Sequence, residues 1–581
     1  MKALLALNPL IWKYRGRLFL GMVFVVFTNM FAVWAPSMIG EGVNALNEAN
    51  THFLVPMAEG QSPTLDQLEL PRTLAFLADT LGWAWQGLDA PTSRETVLDF
   101  VLWVGALQAV FYLLAFLVKG GFSFLTRQTI IVMSRLVEYD LKRDIYGHYQ
   151  VLDSSFYKRH DTGDLMNRIS EDVSHVRMYL GPAIMYSMNL VVLVALVVTV
   201  MLSIDPVLTL FALLPLPFMS LGIYFISANI HRKSDARQKA QSRVSSFVQQ
   251  HIAGIRVLKS FNRERDAAER FDDETAAYKV RVLDLVKVEA MFMPLIVLLV
   301  GLSTILTIYV GGQRVVGGHL ELGHIFQFVF YVNLLTWPFA SIGWVTSLIQ
   351  KASASQARIN AFLDVLPDIA SPDSAQGVGD IQGRISFQGV GLTYPDSGIR
   401  ALEDISFELE PGQTLAVIGR TGSGKSTLAQ MVARLYDPTD GDVQLDGTSL
   451  RDFPLKNLRA SIGYVPQDVF LFSDSIRGNI AFGVNDATMA EIEQAAKDAD
   501  VHENIAAFPE GYETLLGERG VNLSGGQKQR ISIARAILKR PRILIFDDCL
   551  SAVDTETEAN ILGNLKRIME GRTSLIVSHR V

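Results

Sequence analysis

The sequence has a single cysteine, no excess of basic charge, and almost no ionisable residue inside its long apolar runs. Cys549 alone cannot build an internal disulfide framework, and a lone thiol at the end of an apolar strand reads as buried filler without a role. A net charge of -7 argues against a nucleic-acid partner, and the Lys and Arg residues cluster beside apolar blocks and form no separate patch. The polar exceptions inside the apolar runs are amides such as Asn189, Gln327 and Asn333, which argues against a proton or sodium relay. A cleavable signal pattern is missing too. Lys13, Arg15 and Arg17 precede an apolar run from Leu18 to Ile39 without a small-residue cleavage site, so this run reads as a retained first span.

What is present divides into two unlike parts. At 581 residues the chain exceeds one core, and its apolar blocks lie before residue 350. Runs of about 20 apolar residues predict six membrane spans, near 18–39, 97–118, 180–203, 207–228, 290–311 and 323–348. Arg127, Arg135, Lys142, Arg143, Lys158 and Arg159 follow the second span, and Arg232, Lys233, Arg237, Lys239 and Arg243 follow the fourth. The stretch between spans one and two is acidic instead, with Glu41, Glu48, Glu59, Asp66 and Glu69. The positive-inside rule then puts both termini in the cytoplasm. Connections of about 60 residues after spans two and four keep helical periodicity, which predicts long helices projecting into the cytosol. Each has a break, at Asp153 to Phe156 with Thr162, Gly163 and Asp164 following, and at His251 to Gly254. On local sequence each break is either a contact element or an ordinary surface turn.

Met291, Phe292 and Met293 ahead of Pro294, with Phe326, Phe330, Asn333 and Trp337 at helical spacing, are candidates to line a cavity for bulky apolar or amphipathic cargo. Plain helix packing is the alternative. Pro215, Pro217 and Pro338 are expected to bend their helices. The segment from Gly40 to Thr96 is longer than a connector needs, and within it Leu65 to Leu88, with Trp83 and Trp85, suits an interfacial helix. It reads equally as a cap over the outer opening or as an idle insertion.

Beyond Pro372 a Ser, Gly and Gln stretch leads into strand-like runs from Ile385 onward. The expected organisation is a membrane domain over 1–365, a linker over 366–384 and an α/β domain over 385–581. Leu415 to Ile418 reads as a buried strand, followed by Gly419, Arg420, Thr421, Gly422, Ser423, Gly424, Lys425 and Ser426 and then a helix with Thr427 in its first turn. This is a GxxxxGKS phosphate loop in its strand, loop, helix context. Glycines let backbone amides converge on phosphate oxygens, Lys425 neutralises the terminal phosphates, and Ser426 is placed to ligand Mg2+. Ile543 to Phe546 predicts a second buried strand ending in Asp547 and Asp548, with Asp547 in the magnesium shell. Between them Ser524, Gly525, Gly526 and Gln527 open another helix and form a second anion-binding amino end. One ATP cannot need both loops from one chain.

The run LSGGQKQR from Leu523 to Arg530, with the phosphate loop and the six predicted spans, resembles the ATP-binding cassette (ABC) family over essentially the whole chain. The resemblance implies a six-span α-helical exporter bundle fused to an ABC-type P-loop ATPase. It implies a second half-transporter, each ATP lying between the phosphate loop of one chain and the signature loop of the other. Tyr394 resembles the aromatic that stacks on adenine. Gln467 resembles the glutamine that senses the third phosphate and joins the magnesium shell, and His579 the switch histidine. Gly517, Glu518 and Arg519 resemble the exporter loop that touches the membrane helices, and Ser551, Ala552 and Asp554 the cross-dimer loop. The two intracellular breaks would correspond to coupling helices.

Besides the long segment from Gly40 to Thr96, two departures from the family matter. Asp548 stands where hydrolytically competent members carry a glutamate that polarises the attacking water. A carboxylate withdrawn by about 1.5 Å loses that contact, which contributes roughly 10²- to 10⁴-fold in rate. Mg-ATP binding should survive. The pattern resembles the slow-site half of heterodimeric exporters, and the expected function is ATP-driven export of drugs, lipids or peptides across a bacterial plasma (inner) membrane, with the bilayer, an unlike half and an amphipathic substrate as partners. A homodimeric lipid or peptide exporter and a regulatory ATP-gated subunit are the alternatives. The second departure is that the resemblance implies an ATPase domain continuing a few tens of residues past His579, whereas the sequence stops at Val581.

Overall fold

Apolar runs of the length found here have one way of satisfying their backbone in a bilayer, and they take it as helices. A computed structural model describes residues 2–581 except 60, 62–66, 81–87, 90–92, 373–379, 518–519, 521, 550–554 and 579–581. The chain divides into two units, residues 1–145 with 167–362, and residues 146–166 with 363–581.

The first unit holds six helices long and apolar enough to span a membrane: α1 (Arg15–Ala58), α2 (Arg94–Val151), α3 (Thr162–Ile204), α4 (Pro206–Ala253), α5 (Glu264–Val316) and α6 (Leu322–Leu363). They are 42 to 58 residues long. At 1.5 Å per residue that is roughly 60 to 90 Å, two to three times the hydrocarbon thickness. The polar, periodic connections noted in the sequence continue the spans as helix up to turns over 152–161 and 254–263, because hydropathy marks only the part of a helix that faces lipid. One break falls at Leu214 ahead of Pro215, where the missing amide cannot extend the preceding turn.

Packing in this unit centres on α6. Phe328, Tyr331, Val332 and Leu335 are fully buried against Val33 of α1, Val197 and Met201 of α3, and Leu216 and Met219 of α4. The buried amides serve this packing. Gln327 Nε2 donates to the Tyr331 hydroxyl at 2.9 Å, which donates to the Val33 carbonyl at 3.0 Å, while Asn29 Nδ2 donates to Asn189 Oδ1 at 2.9 Å. Asp205 caps the start of α4 through Leu208 N and also accepts from Arg314 Nε at 2.9 Å, fastening the α3–α4 turn to the end of α5. In the 40–96 segment, a helix over Arg72–Thr80 places Leu74 in a cluster with Phe53, Val97 and Phe100, and leaves Phe76 exposed. Trp83 and Trp85 lie outside the described residues.

The second unit joins two sheets. Strands β1 (Ile385–Thr393), β2 (Arg400–Leu409), β3 (Thr414–Ile418), β4 (Asp440–Leu445), β5 (Thr448–Ser449), β6 (Ile462–Val465), β7 (Ile543–Asp547) and β8 (Thr573–Ser578) form an antiparallel sheet in the order β2-β1-β4-β5 and a parallel one in the order β3-β8-β7-β6. Every residue of β7 is buried, as expected of a central strand covered on both faces. Helices α7 (Lys425–Val432) and α8 (Gly525–Leu538) follow β3 and precede β7 respectively. Residues 146–166 belong to this unit. Their short helix, Ser154–Arg159, is started by Asp153, whose carboxylate accepts from Ser155 N at 3.0 Å and Phe156 N at 3.1 Å, an N-cap that fixes its direction.

Candidate nucleotide site and the adjoining 154–159 turn

The carboxyl ends of the parallel strands are where open α/β sheets bind ligands, and the predicted residues converge there. The backbone of Gly422 has φ 84° and that of Gly424 φ 87°. A Cβ on Gly424 would lie 2.4 Å from the Ala401 carbonyl oxygen, so the loop requires glycine for space as well as for angle. Gly424 precedes α7 and offers no side-chain cap, which leaves the first amides of the helix aimed outward as anion donors. The Lys425 ammonium donates to the carbonyls of Gly419 at 2.7 Å and Arg420 at 2.9 Å, so it holds the loop's curve from within. Ser426 Oγ donates to Asp547 Oδ1 at 2.8 Å, joining the helix start to the end of β7.

Asp547 is 2 % exposed. Burial raises its carboxyl above the ordinary range, the Ser426 hydrogen bond works against that shift, and the charge of neighbouring Asp548 adds to it. Asp548 follows at φ 49°, a left-handed conformation that aspartate tolerates better than most residues. Its Oδ2 accepts from Gln467 Nε2 at 3.4 Å, so the two residues singled out for water and third-phosphate chemistry meet. Cys549 beside them is 2 % exposed inside the core, and burial pushes its thiol up to about 12, which keeps it unreactive.

The remaining predicted residues divide between this loop and other elements. Ser524 caps α8 by accepting from Gln527 N at 3.2 Å, and Gln527 Oε1 accepts from Ser524 N at 2.9 Å, a reciprocal cap that commits the Gln527 side chain to the helix start. Gly525 and Gly526 form the first turn of that helix. Tyr394 bonds the Thr427 hydroxyl at 2.8 Å, which brings the expected adenine partner to the first turn of α7. Thr421, Ser423 and Gly419 lie in the loop itself. His579, Glu518, Arg519, Ser551, Ala552 and Asp554 lie outside the described residues. In the first unit Met291, Met293, Phe326, Phe330 and Trp337 are exposed, Phe292 is part-buried against the α6 core, and Asn333 Nδ2 is bonded to the Val329 carbonyl within α6.

Several residues were not read from the sequence. Tyr464 of β6 lies beside Asp547, and burial together with that carboxylate holds its phenol well above the usual range. Its signal was the parallel alignment of β6 with β7, visible only after the strands are paired. Lys158 in the Ser154–Arg159 helix lies 4.9 Å from the ring centroids of both Tyr394 and Tyr436, and those two rings meet edge to face at 5.2 Å. Asp153 Oδ2 accepts from Asp368 N at 2.7 Å, and Ser155 Oγ from its side contacts Asp368 Oδ2 at 3.3 Å. Nothing local in the sequence announces these pairings. They attach the Ser154–Arg159 turn both to the start of the ATPase domain and to Tyr394.

A phosphate loop joined to a strand-end carboxylate, a second helix-opening SGGQ loop, and six spanning helices in one chain define a P-loop ATPase fused to a membrane bundle. Comparison with known families agrees. Residues 18–339 match the ABC transporter transmembrane region and residues 402–551 match ABC transporter. The chain is 38% identical over 443 residues to the multidrug resistance-like ATP-binding protein MdlA of Escherichia coli (strain K12), covering 76% of this chain and 75% of that one. It is 36% identical over 449 residues to the probable multidrug resistance ABC transporter ATP-binding/permease protein YheI of Bacillus subtilis (strain 168), covering 77% of each. It is also similar to the uncharacterized ABC transporter ATP-binding protein YknU of the same strain, 35% identical over 490 residues and 84% of each chain. The chain belongs to the ABC transporter family. It is a multi-pass membrane ATPase that couples ATP to transport, and its ATPase domain binds ATP.

Proposed function

We propose that this chain is one half of a bacterial inner-membrane exporter for amphipathic or hydrophobic compounds, and that its own phosphate loop serves a slow ATP site in a pair of unlike halves. The observation that carries this reading is the conjunction of an intact Ser426–Asp547 pair with an aspartate, Asp548, in the place of the water-polarising carboxylate. Lys425 and the amides around Gly424 would hold the phosphates. Ser426, Asp547 and Gln467 would supply protein oxygens to Mg2+. Among the described residues no three His, Cys, Asp or Glu side chains gather as a metal cage, which suits an ion held largely by phosphate and water oxygens.

The need for a second half rests on Ser524. Its hydroxyl and the open amides of α8 form an anion-binding end separate from Lys425, to be used on the ATP of the partner. The second intracellular turn supports this too. Around Gly254, Ile252, Val257 and Phe261 are 67%, 62% and 73% exposed on a cytoplasmic segment, an apolar face suited to a partner ATPase domain. With both termini cytoplasmic by the positive-inside rule, closure of the ATPase pair would pull on the Ser154–Arg159 turn through Asp153 and Lys158, and the bundle would open outward. The multidrug descriptions of MdlA and YheI, and the exposed Met291, Met293, Phe330 and Trp337, favour bulky apolar cargo.

The test is concentrative uptake of a fluorescent amphipathic dye into inside-out vesicles holding the chain with its partner. Accumulation against a gradient, lost in Lys425→Ala, supports export. Equilibration without accumulation would point to an ATP-gated channel and sink the proposal.

A further inference from the structure

A cavity of about 390 Å³ lies between α1 and α2, and its lining includes none of the nucleotide-site residues and none of those considered for cargo. Its walls include Gly42, Leu46, Val104, Gly105, Gln108 and Ala109. The small residues among them leave the space between the two helices unfilled. The walls are apolar apart from the Gln108 amide and the hydroxyl of Tyr112. Gln108 is 7% exposed, and its Nε2 has no hydrogen-bond partner among the described residues. Its Oε1 rests against Gly42, at a point 2.3 Å from where a Cβ would stand. A buried donor left without an acceptor is unfavourable, so a neutral acceptor entering the cavity gains what the protein alone lacks.

The level of the cavity in the membrane follows from the pairing of the helices. Gly42 stands opposite Gln108, and Phe27 and Phe31 stack on Phe122 at 5.1 and 6.0 Å, so α1 and α2 run antiparallel in one continuous register. Counting about 20 residues from Arg17 brings α1 to the far membrane interface near Met38 to Gly42. Glu41, Asn44 and Glu48 follow immediately, as polar residues do once a helix leaves hydrocarbon. Trp103, 71% exposed on α2 at this end, has the placement of an interfacial aromatic. Leu46, Gly105 and Ala109 of its walls are exposed, as is the neighbouring Leu102.

We propose that this cavity is a phospholipid site, in which an acyl chain lies against the apolar walls and its ester carbonyl accepts a hydrogen bond from Gln108 Nε2. The interface is where a phospholipid carries its ester groups, and an ester is a neutral acceptor with no donor of its own. The chemistry fits a mostly apolar lining whose polar groups, the unpaired Gln108 amide and the Tyr112 hydroxyl, can both donate. The site would bind lipid from the bilayer whether or not lipid is exported.

The experiment uses the full chain in nanodiscs of phosphatidylethanolamine and phosphatidylglycerol, doped with one of two photoreactive probes. One is a phosphatidylethanolamine with a diazirine in an ester-linked acyl chain, the other its ether-linked analogue with the same chain. After irradiation, cross-links are mapped by mass spectrometry. The expected result is labelling within residues 38–46 and 100–112, stronger for the ester probe by roughly 3- to 10-fold, the worth of one neutral hydrogen bond. Gln108→Leu should abolish that preference while the chain stays folded. Gly105→Leu, where an added Cβ meets no atom within 4 Å, should fill the cavity and reduce labelling by both probes. Equal labelling by the two probes in the unaltered chain would overturn the assignment. So would an ester preference that survives Gln108→Leu, or labelling of these segments only by a diazirine alkylamide supplied from water.

Discussion

Replacing Asp153 by alanine should loosen the Ser154–Arg159 turn from the ATPase domain while leaving the phosphate loop untouched. The carboxylate accepts four hydrogen bonds, from Ser155 N at 3.0 Å, Ser155 Oγ at 2.6 Å, Phe156 N at 3.1 Å and Asp368 N at 2.7 Å. Loss of an N-cap destabilises a helix start by about 1 kcal/mol. The Asp368 amide bond, half-exposed and so discounted for solvent, adds about 1 kcal/mol. A local loss of about 2 kcal/mol multiplies opening roughly 30-fold. Hydrogen exchange of the 154–159 amides should accelerate by about that factor, with ATP binding unchanged and dye transport reduced. Burial opposes the charge of Asp153, but the Ser155 hydroxyl and the amides of Asp368, Phe156 and Ser155 outweigh it and hold the carboxyl below its usual range. A lowered folded-state pKa means the folded state holds fewer protons, so the anchor is present above the ordinary carboxylate pKa of about 4 and lost as pH falls through the lowered value. The protection difference between the unaltered chain and its Asp153→Ala variant should therefore vanish in acid. Unchanged exchange at neutral pH would refute the assignment of Asp153 as the anchor.

Other outcomes follow from the nucleotide site. Asp548→Glu should raise turnover at this chain's own site roughly 10²-fold in single-turnover assays with the partner present, provided the partner's signature permits. Because residue 548 is left-handed at φ 49°, the same change should destabilise the ATPase unit by about 1 kcal/mol, readable as a small drop in Tm. Asp547→Asn should abolish Mg-dependent hydrolysis yet not lower the Tm of the nucleotide-free protein at neutral pH, since it removes a buried charge and keeps an acceptor for Ser426. The Asp547 carboxyl is raised by burial, so the folded state favours its proton. The unaltered chain regains stability relative to the Asp547→Asn variant as pH falls through that raised value and loses it above, a crossover visible in a pH series of thermal melts. Gly424→Ala should lower ATP affinity by more than roughly 100-fold in equilibrium binding, because its φ of 87° and the Ala401 carbonyl at 2.4 Å leave no place for a methyl group.

What the sequence made legible was chemistry written locally. The phosphate loop declares itself because a strand, a glycine-rich turn and a helix must be consecutive to cradle phosphate. Six spans declare themselves because a bilayer demands about 20 apolar residues at a time. The helices themselves proved two to three times longer, since hydropathy has no means of reporting where a polar helix ends. Contacts between distant segments left no such trace. Lys158 between Tyr394 and Tyr436, Tyr464 beside Asp547, and Asp205 against Arg314 each join residues separated by an entire element or more, and each looks ordinary in its own neighbourhood. Gln527 is the opposite case. Its place in a signature motif suggested nucleotide contact, while its spacing from Ser524 already satisfied a reciprocal helix cap, and in the structure its side chain makes that cap.

Everything proposed for the ATPase half depends on this chain binding ATP at a site it cannot turn over quickly. The direct measurement is steady-state hydrolysis by the purified chain in nanodiscs, alone and mixed with the product of a neighbouring exporter gene, with ATP occupancy followed by photolabelling at Lys425. The predicted result is full labelling of the lone chain with turnover at least roughly 10²-fold below that of the mixed pair. Brisk hydrolysis by the lone chain would contradict it.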